Sequence, residues 1–268
     1  MSFSKDWLAL REPHDARARN ASVLDAVIAS LADKASVRIV DLACGTGSTM
    51  RALAPKIPAA QHWQLVDNNL SLLARASEMK PSAGVTFSTT PIDIGYDLEA
   101  ALDGPVDLVT TSALLDLLSE DWLERLVTEI GVRKIPFYAA LSYDGRIETS
   151  PHHSHDGAIV AAMNAHQRGD KGFGPALGPA AASVAMSRFE SLGYRVVHGP
   201  ADWRFDPTDR DIQRETFSGW ASAAREVDNL PLSHIVEWLT FRRDAIAAGR
   251  SSLRVGHIDF FAAPTGSR

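Results

Sequence analysis

The chain of 268 residues contains one cysteine, Cys44, no apolar run near the roughly 18 to 20 residues needed to span a bilayer, and no excess of positive charge. A lone cysteine excludes an internal disulfide and suits a reducing compartment. The formal charge of −6 gives no general field for holding polyphosphate, so neither nucleic acid nor a membrane surface is an expected partner. The opening stretch MSFSKDWLALREPHD carries charges where a secretory signal needs uninterrupted apolar residues, and the expected address is cytoplasmic. No sequence repeat or low-complexity tract stands out. What is present is an apolar content of 45%, enough for the core of one large domain.

Short apolar runs alternate with helical patterns. Val23, Val27, Ile28 and Leu31 sit at helical spacing in residues 16–33, predicting one amphipathic helix before the first strand. VRIVDLA, HWQLVD, VTFSTT, VDLVTTS and KIPFYAALS then read as strands, with helices after the first two and over EDWLERLVTEIG. That rhythm predicts an α/β fold with a parallel sheet and helices on both faces. Past residue 141 it breaks into a segment rich in Gly, Pro and His with a helix near Asp156–Gln167, then resumes with the helix AASVAMSRFESLG and the strand YRVVHG. Asp209–Gly249 reads as two helices broken near Leu230-Pro231, and VGHIDFFAA supplies the last strand. Two insertions follow, at about 142–180 and 201–253, and both are expected over one edge of the sheet.

The first strand delivers Asp41 into a turn where Gly45 and Gly47 let the backbone bend tightly and approach a ligand. A dinucleotide fingerprint needs a third glycine three residues after Gly47, where Met50 stands, and a phosphate loop needs a lysine that is missing between Gly47 and Ser48. Both phosphate readings lose ground. Asp67 ends the second strand 20 residues beyond Gly47, where a carboxylate can accept the hydrogen bonds of a ribose diol; the alternative is that it caps the next helix.

DLACGTG resembles the first motif of class I S-adenosylmethionine-dependent methyltransferases, with Ala43 where the first glycine commonly stands. The resemblance continues in motif order over residues 37–141. It implies a Rossmann-like methyltransferase fold, a mainly parallel seven-stranded sheet with helices on both faces and helical insertions. Residues 1–35 would form a helical segment covering the cofactor site, and residues 36–268 the methyltransferase domain. The implied cofactor, S-adenosyl-L-methionine, carries a ribose and an amino acid but no phosphate. Asp41 would support its ammonium, and the turn from Ala43 through Cys44 and Gly45 to Gly47 would lie beside its amino-acid part. Asp67 with Asn68 would serve the ribose, and Asp93 with Ile94 the adenine. Thr111, Ser112 and Ala113 would pass near the sulfonium, while Arg11 pairs with the carboxylate. Asp93 as a plain turn residue and Ile94 as simple core stay open.

The implied reaction is in-line methyl transfer, and the acceptor is narrowed by what is missing. The only cysteine lies in the cofactor turn, leaving no nucleophile for pyrimidine carbon methylation, and TTSALL lacks the Asn/Asp-Pro-Pro-aromatic sequence of similar enzymes that methylate exocyclic amines. A small molecule is the expected acceptor. His152 and His155 are the candidate proton acceptors, with Asp116, His153, Arg168 and Lys171 as candidate acceptor contacts; Arg168 or Lys171 would meet an acidic group. Three histidines and Asp156 within one loop have no specific metal spacing, and no metal is expected. The competing functions are an adenosylmethionine-binding protein without methyl transfer and a nicotinamide-dependent Rossmann enzyme. Oligomeric state is left open.

Overall fold

The computed structural model of the protein describes residues 4–266. Two helices lead in, α1 (Lys5–Ala18) and α2 (Ala21–Leu31). The chain then runs through β1 (Ser36–Leu42), α3 (Ser48–Leu53), β2 (Ala60–Asp67), α4 (Leu70–Ser77), β3 (Val85–Pro91), α5 (Leu98–Ala101), β4 (Leu108–Ser112) and α6 (Glu120–Arg133). Its second half comprises β5 (Phe137–Ser150), α7 (Asp156–Gln167), α8 (Ala181–Ser191), β6 (Tyr194–Pro200), β7 (Trp203–Phe205), α9 (Arg210–Val227), α10 (Leu232–Ala247) and β8 (Ser252–Pro264). Seven strands follow the hydrogen-bonded path β3-β2-β1-β4-β5-β8-β6, and the three-residue β7 joins β8 as an eighth. Strands β1 to β5 are mutually parallel, while β8 runs antiparallel to β5, β6 and β7.

Alternation along the central strands divides the core between the two faces of the sheet. Val40, Leu42, Val109, Phe137 and Phe260 join one buried cluster with α6 and α8, while Ile39, Leu65, Leu108, Tyr138 and Phe261 join the other with α2. Burial on both faces explains why β1 reads as a nearly continuous apolar run. Between β1 and β4 the strand order reverses, leaving a crevice beyond the carboxyl ends of both strands where open α/β sheets receive ligands.

The predicted 16–33 helix is two helices. Asn20 accepts from the Val23 amide at 3.1 Å and so caps α2, while Arg19 turns inward to donate to the Tyr138 hydroxyl at 3.2 Å. A second departure has larger consequences. The fifth strand was expected to end near 142, but it continues to Ser150, pairing with β8 through Ile147↔Val255 and Thr149↔Leu253 after two irregularities. Eight further residues of strand carry the chain outward by roughly 25 Å. The extended arm supports a third core, in which Tyr143, Ile159, Trp203, Phe205, Phe217, Trp220, Trp238 and Val255 pack together with Trp7 and Leu10 of α1 against them. The aromatic residues of the second insertion are thus core. Among the described residues no helix is long and apolar enough to cross a membrane.

Candidate functional site

The glycine turn is built from left-handed backbone: Ala43 has φ +52°, Gly45 φ +56° and Gly47 φ +82°. It is fixed to the neighbouring strand by the Cys44 amide, which donates to Val66 O at 2.9 Å, and Gly47 then caps α3. The turn has no side chain at Gly45, where an added Cβ would stand 3.3 Å from Leu8 Cδ1 of α1. Helix and turn therefore approach closely, and a cleft of about 320 Å³ opens between them at the reversal of strand order.

Beneath the turn Asp41 is fully buried. One carboxylate oxygen accepts from Thr110 Oγ1 at 2.8 Å, and the other has no partner. Burial pushes its pKa up to about 7, against the Thr110 hydrogen bond and the Arg19 charge, which lower it. An unpaired buried oxygen of this kind carries a desolvation cost that a cationic ligand group would offset. Asp67 accepts from the Gly45 amide and the Asn69 amide, both at 2.9 Å, so it holds the turn and the start of α4 at once. The cap of α4 is Asn69, which leaves the remaining lone pairs of Asp67 for the cleft. Asp93 accepts from Asn68 Nδ2 at 3.0 Å and from the Gly95 amide at 2.9 Å, shaping its own turn while lining the cleft with Ile92 and buried Ile94.

Of the expected cofactor residues, Arg11, Ala43, Cys44, Gly45, Asp67, Asn68, Asp93, Ile94, Ser112 and Ala113 line this cleft together. Asp41, Gly47 and Thr111 support it from below; Thr111 Oγ1 donates to Leu42 O at 3.0 Å. Helix α1 adds Leu8 and Asp15, residues the sequence reading missed. Asp15 receives Arg11 Nε and Trp203 Nε1, each at 2.8 Å, and the guanidinium lies 4.8 Å from the Trp203 ring centroid. The four-residue spacing of Arg11 and Asp15 on a helix was the available signal. Glu12 grips Arg51 at 2.5 and 2.7 Å, and Arg51 also donates to Thr46 O at 2.6 Å, latching α1 onto the turn. Because the pair is partly exposed, Glu12→Gln should lower stability by less than about 1 kcal/mol and speed cofactor dissociation by up to about fivefold, which stopped-flow displacement would measure.

The first insertion contributes Lys171, Gly172 and Phe173 to the cleft. Asp170 organises that loop by accepting from the Gly172 and Gly174 amides at 2.7 and 3.1 Å, and Phe173 sets its ring edge-on to Trp122 with centroids 5.2 Å apart. Asp116 is buried behind this end of the cleft, with one oxygen 3.4 Å from Gln167 Nε2 and the other unpartnered. Burial pushes its pKa up to about 6, while Arg11 and Lys171 pull it down. Tyr96, 81% exposed, and Leu117 also line the cleft without any earlier signal beyond their neighbours.

The histidine loop is placed elsewhere. His152 is exposed, while His153 and His155 face Glu237 of α10 at 3.8 and 3.6 Å, and His155 stacks on His234 at 4.2 Å. The physical reason is the long β5, which carries residues 150–155 away from the sheet's carboxyl edge and onto the second insertion. Arg168 donates to Asn164 O at 3.2 Å and is not among the cleft-lining residues. His14 of α1 packs on Phe205 with centroids 4.8 Å apart. Among the described residues no group of three or more His, Cys, Asp and Glu is arranged to hold a metal ion.

Residues 39–132, spanning β1 to α6, match the methyltransferase domain family. No curated protein matches the chain in sequence. Solved structures share its architecture at low identity. A cyclopropane-fatty-acyl-phospholipid synthase-like protein from Lactobacillus casei is 12% identical with a TM-score of 0.56, covering 98% of this chain and 94% of the other. The cyclopropane synthase MmaA2 from Mycobacterium tuberculosis is 11% identical with a TM-score of 0.52, covering 97% and 94%. The YcgJ protein from Bacillus subtilis is 14% identical with a TM-score of 0.51, covering 92% and 100%. These likenesses show the fold, and the match to the methyltransferase domain family falls on residues 39–132, the segment that carries the turn, Asp67 and Asp93.

Proposed function

We propose that the protein transfers the methyl group of S-adenosylmethionine to a small-molecule acceptor by in-line attack. The observation that carries the cofactor half is the unpartnered, buried oxygen of Asp41 beneath a left-handed turn, beside a carboxylate, Asp67, that lines the cleft. When bound, the cofactor supplies an intrinsically electrophilic sulfonium methyl, so the protein's work is alignment. Asp41 would receive the ammonium, Asp67 and Asn68 the ribose, and Asp93 and Ile94 the adenine, while Arg11 is positioned by Asp15 and Trp203 for the carboxylate. Leu114, Leu117, Lys171 and Phe173 would wall the acceptor, with Asp116 behind them. An acceptor confined under α1 and the 171–173 loop, in a chain of net charge −6, suits a small molecule better than nucleic acid. The lone, buried Cys44 suits a cytoplasmic setting. No proton transfer is assigned to His152 or His155.

Calorimetry with adenosylmethionine, adenosylhomocysteine and NAD tests the cofactor roles; NAD binding without a response to adenosylmethionine or adenosylhomocysteine would refute them. Incubation with methyl-labelled adenosylmethionine and a metabolite extract tests transfer, and binding without label transfer favours a non-catalytic role. Asp41 adds a pH dependence. Its folded pKa is raised above the unfolded carboxylate value, so the free protein is relatively stabilised as pH falls through about 7, whereas an ammonium partner needs the ionised form. Adenosylmethionine affinity should therefore drop by up to about tenfold per pH unit below 7 and stay flat above it. A Kd constant from pH 8 to 5.5 would remove Asp41 from the ammonium site.

A further inference from the structure

The acceptor end of the cleft holds a positive charge with no ion-pair partner at contact distance. Lys171 is 8% exposed and lines the cleft, yet its recorded partner is only His166 Nδ1 at 3.2 Å, with no carboxylate within 4.0 Å among the described residues. His166 is itself oriented from behind by Glu226, 3.0 Å from its other ring nitrogen. Arg11, the other cation here, is held by Asp15 and assigned above to the cofactor carboxylate. Buried charge without a partner is costly, so the ammonium calls for an anion in the cleft.

The same end offers little to remove a proton. No histidine lines the cleft among the described residues, the Cys44 thiol is pushed well up by burial, Asp15 is occupied by Arg11 and Trp203, and Asp116 stands behind the lining rather than in it. An acceptor that enters with its nucleophilic lone pair already free fits this lining best. Leu114, Leu117 and Phe173 add apolar wall beside Lys171. A single ammonium matches a monoanion, and the carboxyls of Glu226, Asp116 and Asp170, all felt by Lys171 at longer range, disfavour a dianionic phosphate.

From this juxtaposition we infer that the acceptor is a carboxylic acid with an apolar body, held as its carboxylate by Lys171 and methylated on its own oxygen to give a methyl ester. The inference rests on the methyl-transfer reading above. One carboxylate oxygen attacks the methyl carbon; the oxygen–carbon bond forms as the carbon–sulfur bond breaks, the electron pair returns to sulfur as a neutral sulfide, and no proton moves. Lys171 stays an ammonium throughout, orienting the acid.

The test supplies methyl-labelled adenosylmethionine with octanoate, phenylacetate, their amides and a metabolite extract, then treats the products with alkali, which frees volatile labelled methanol from esters only. Calorimetry in parallel measures adenosylhomocysteine binding, and acid binding to that complex, for the parent protein, Lys171→Met and Lys171→Arg. The expected result is alkali-labile label, from the acids or from the extract, with no label on the amides. Lys171→Met should weaken acid binding and transfer by about tenfold or more, Lys171→Arg should retain most of both, and adenosylhomocysteine affinity should be unchanged. Label that survives alkali in every product, equal binding of acids and amides, or loss of adenosylhomocysteine affinity in Lys171→Met would overturn the inference; the last would give Lys171 to the cofactor. Adenosylmethionine binding with no label anywhere would instead bring down methyl transfer itself.

Discussion

Asp67→Ala is expected to raise the Kd for S-adenosylmethionine by roughly 10- to 150-fold, the equivalent of about 1.5–3 kcal/mol for losing charge-assisted hydrogen bonds. Two effects act together. The carboxylate that lines the cleft is removed, and the Gly45 and Asn69 amides, each held at 2.9 Å by Asp67, lose their acceptor, so the turn and the start of α4 are no longer tied to one point. Asp67→Asn separates the two. An amide oxygen can still accept from one backbone amide but brings no charge, so its Kd should fall between those of the parent and the alanine variant. Calorimetry on both variants, with thermal melts to confirm folding, provides the comparison. Unchanged affinity in Asp67→Ala would remove this residue from the site.

The largest expected loss of stability lies outside the cleft. Arg242 has a fully buried guanidinium that donates to Pro151 O at 2.7 Å, to Thr149 Oγ1 at 2.8 Å and to Asp156, whose same oxygen also accepts from Trp238 Nε1 at 2.8 Å. It joins the end of β5, the start of α7 and helix α10 at one point, with the rings of Phe217, Trp238 and Phe241 within 5.4–5.7 Å. Removing one partner leaves the other charge buried, so Arg242→Met should cost about 3–5 kcal/mol in denaturant unfolding. Burial alone would raise the Asp156 carboxyl, but the hydrogen bonds from Arg242, the His153 amide and Trp238 hold it below the ordinary range. A carboxyl depressed in the folded state stabilises above its unfolded pKa and loses that contribution as pH falls through the folded one. The deficit of Arg242→Met should accordingly persist at neutral pH and narrow below pH about 4. A variant that unfolds within about 1 kcal/mol of the parent would mean that the third core, rather than this pair, holds the insertions together.

The cofactor half of the proposed site could be read from the sequence because it is local. A buried strand, an acid, two glycines and a helix start lie within a dozen residues, and the left-handed backbone at Gly45 and Gly47 is what those glycines announce. Asp67 and Asp93 were readable from their places at the ends of the second and third strands, since a parallel sheet aligns its carboxyl ends along one edge. The helices of the insertions were equally visible: Asp156–Gln167 matches α7 to the residue, and Leu230-Pro231 falls in the break between α9 and α10.

The use of those insertions was not legible. Whether β5 stops near 142 or runs to Ser150 depends on pairing with β8, whose partner residues Thr149 and Leu253 are more than a hundred positions apart. That pairing carried the histidines to α10 and away from the cleft, and it left Lys171 and Phe173 facing the cofactor turn. Arg11 was readable as a cation near the site, but its orientation by Asp15 and Trp203 joins the first helix to a strand far along the chain. Short-range spacing, which fixes backbone conformation and strand edges, was therefore enough for the sequence to determine the fold class and to point to the proposed cofactor. The proposed acceptor end was decided by tertiary structure, because its charges and walls come from segments far apart in the chain that only long-range contacts bring together.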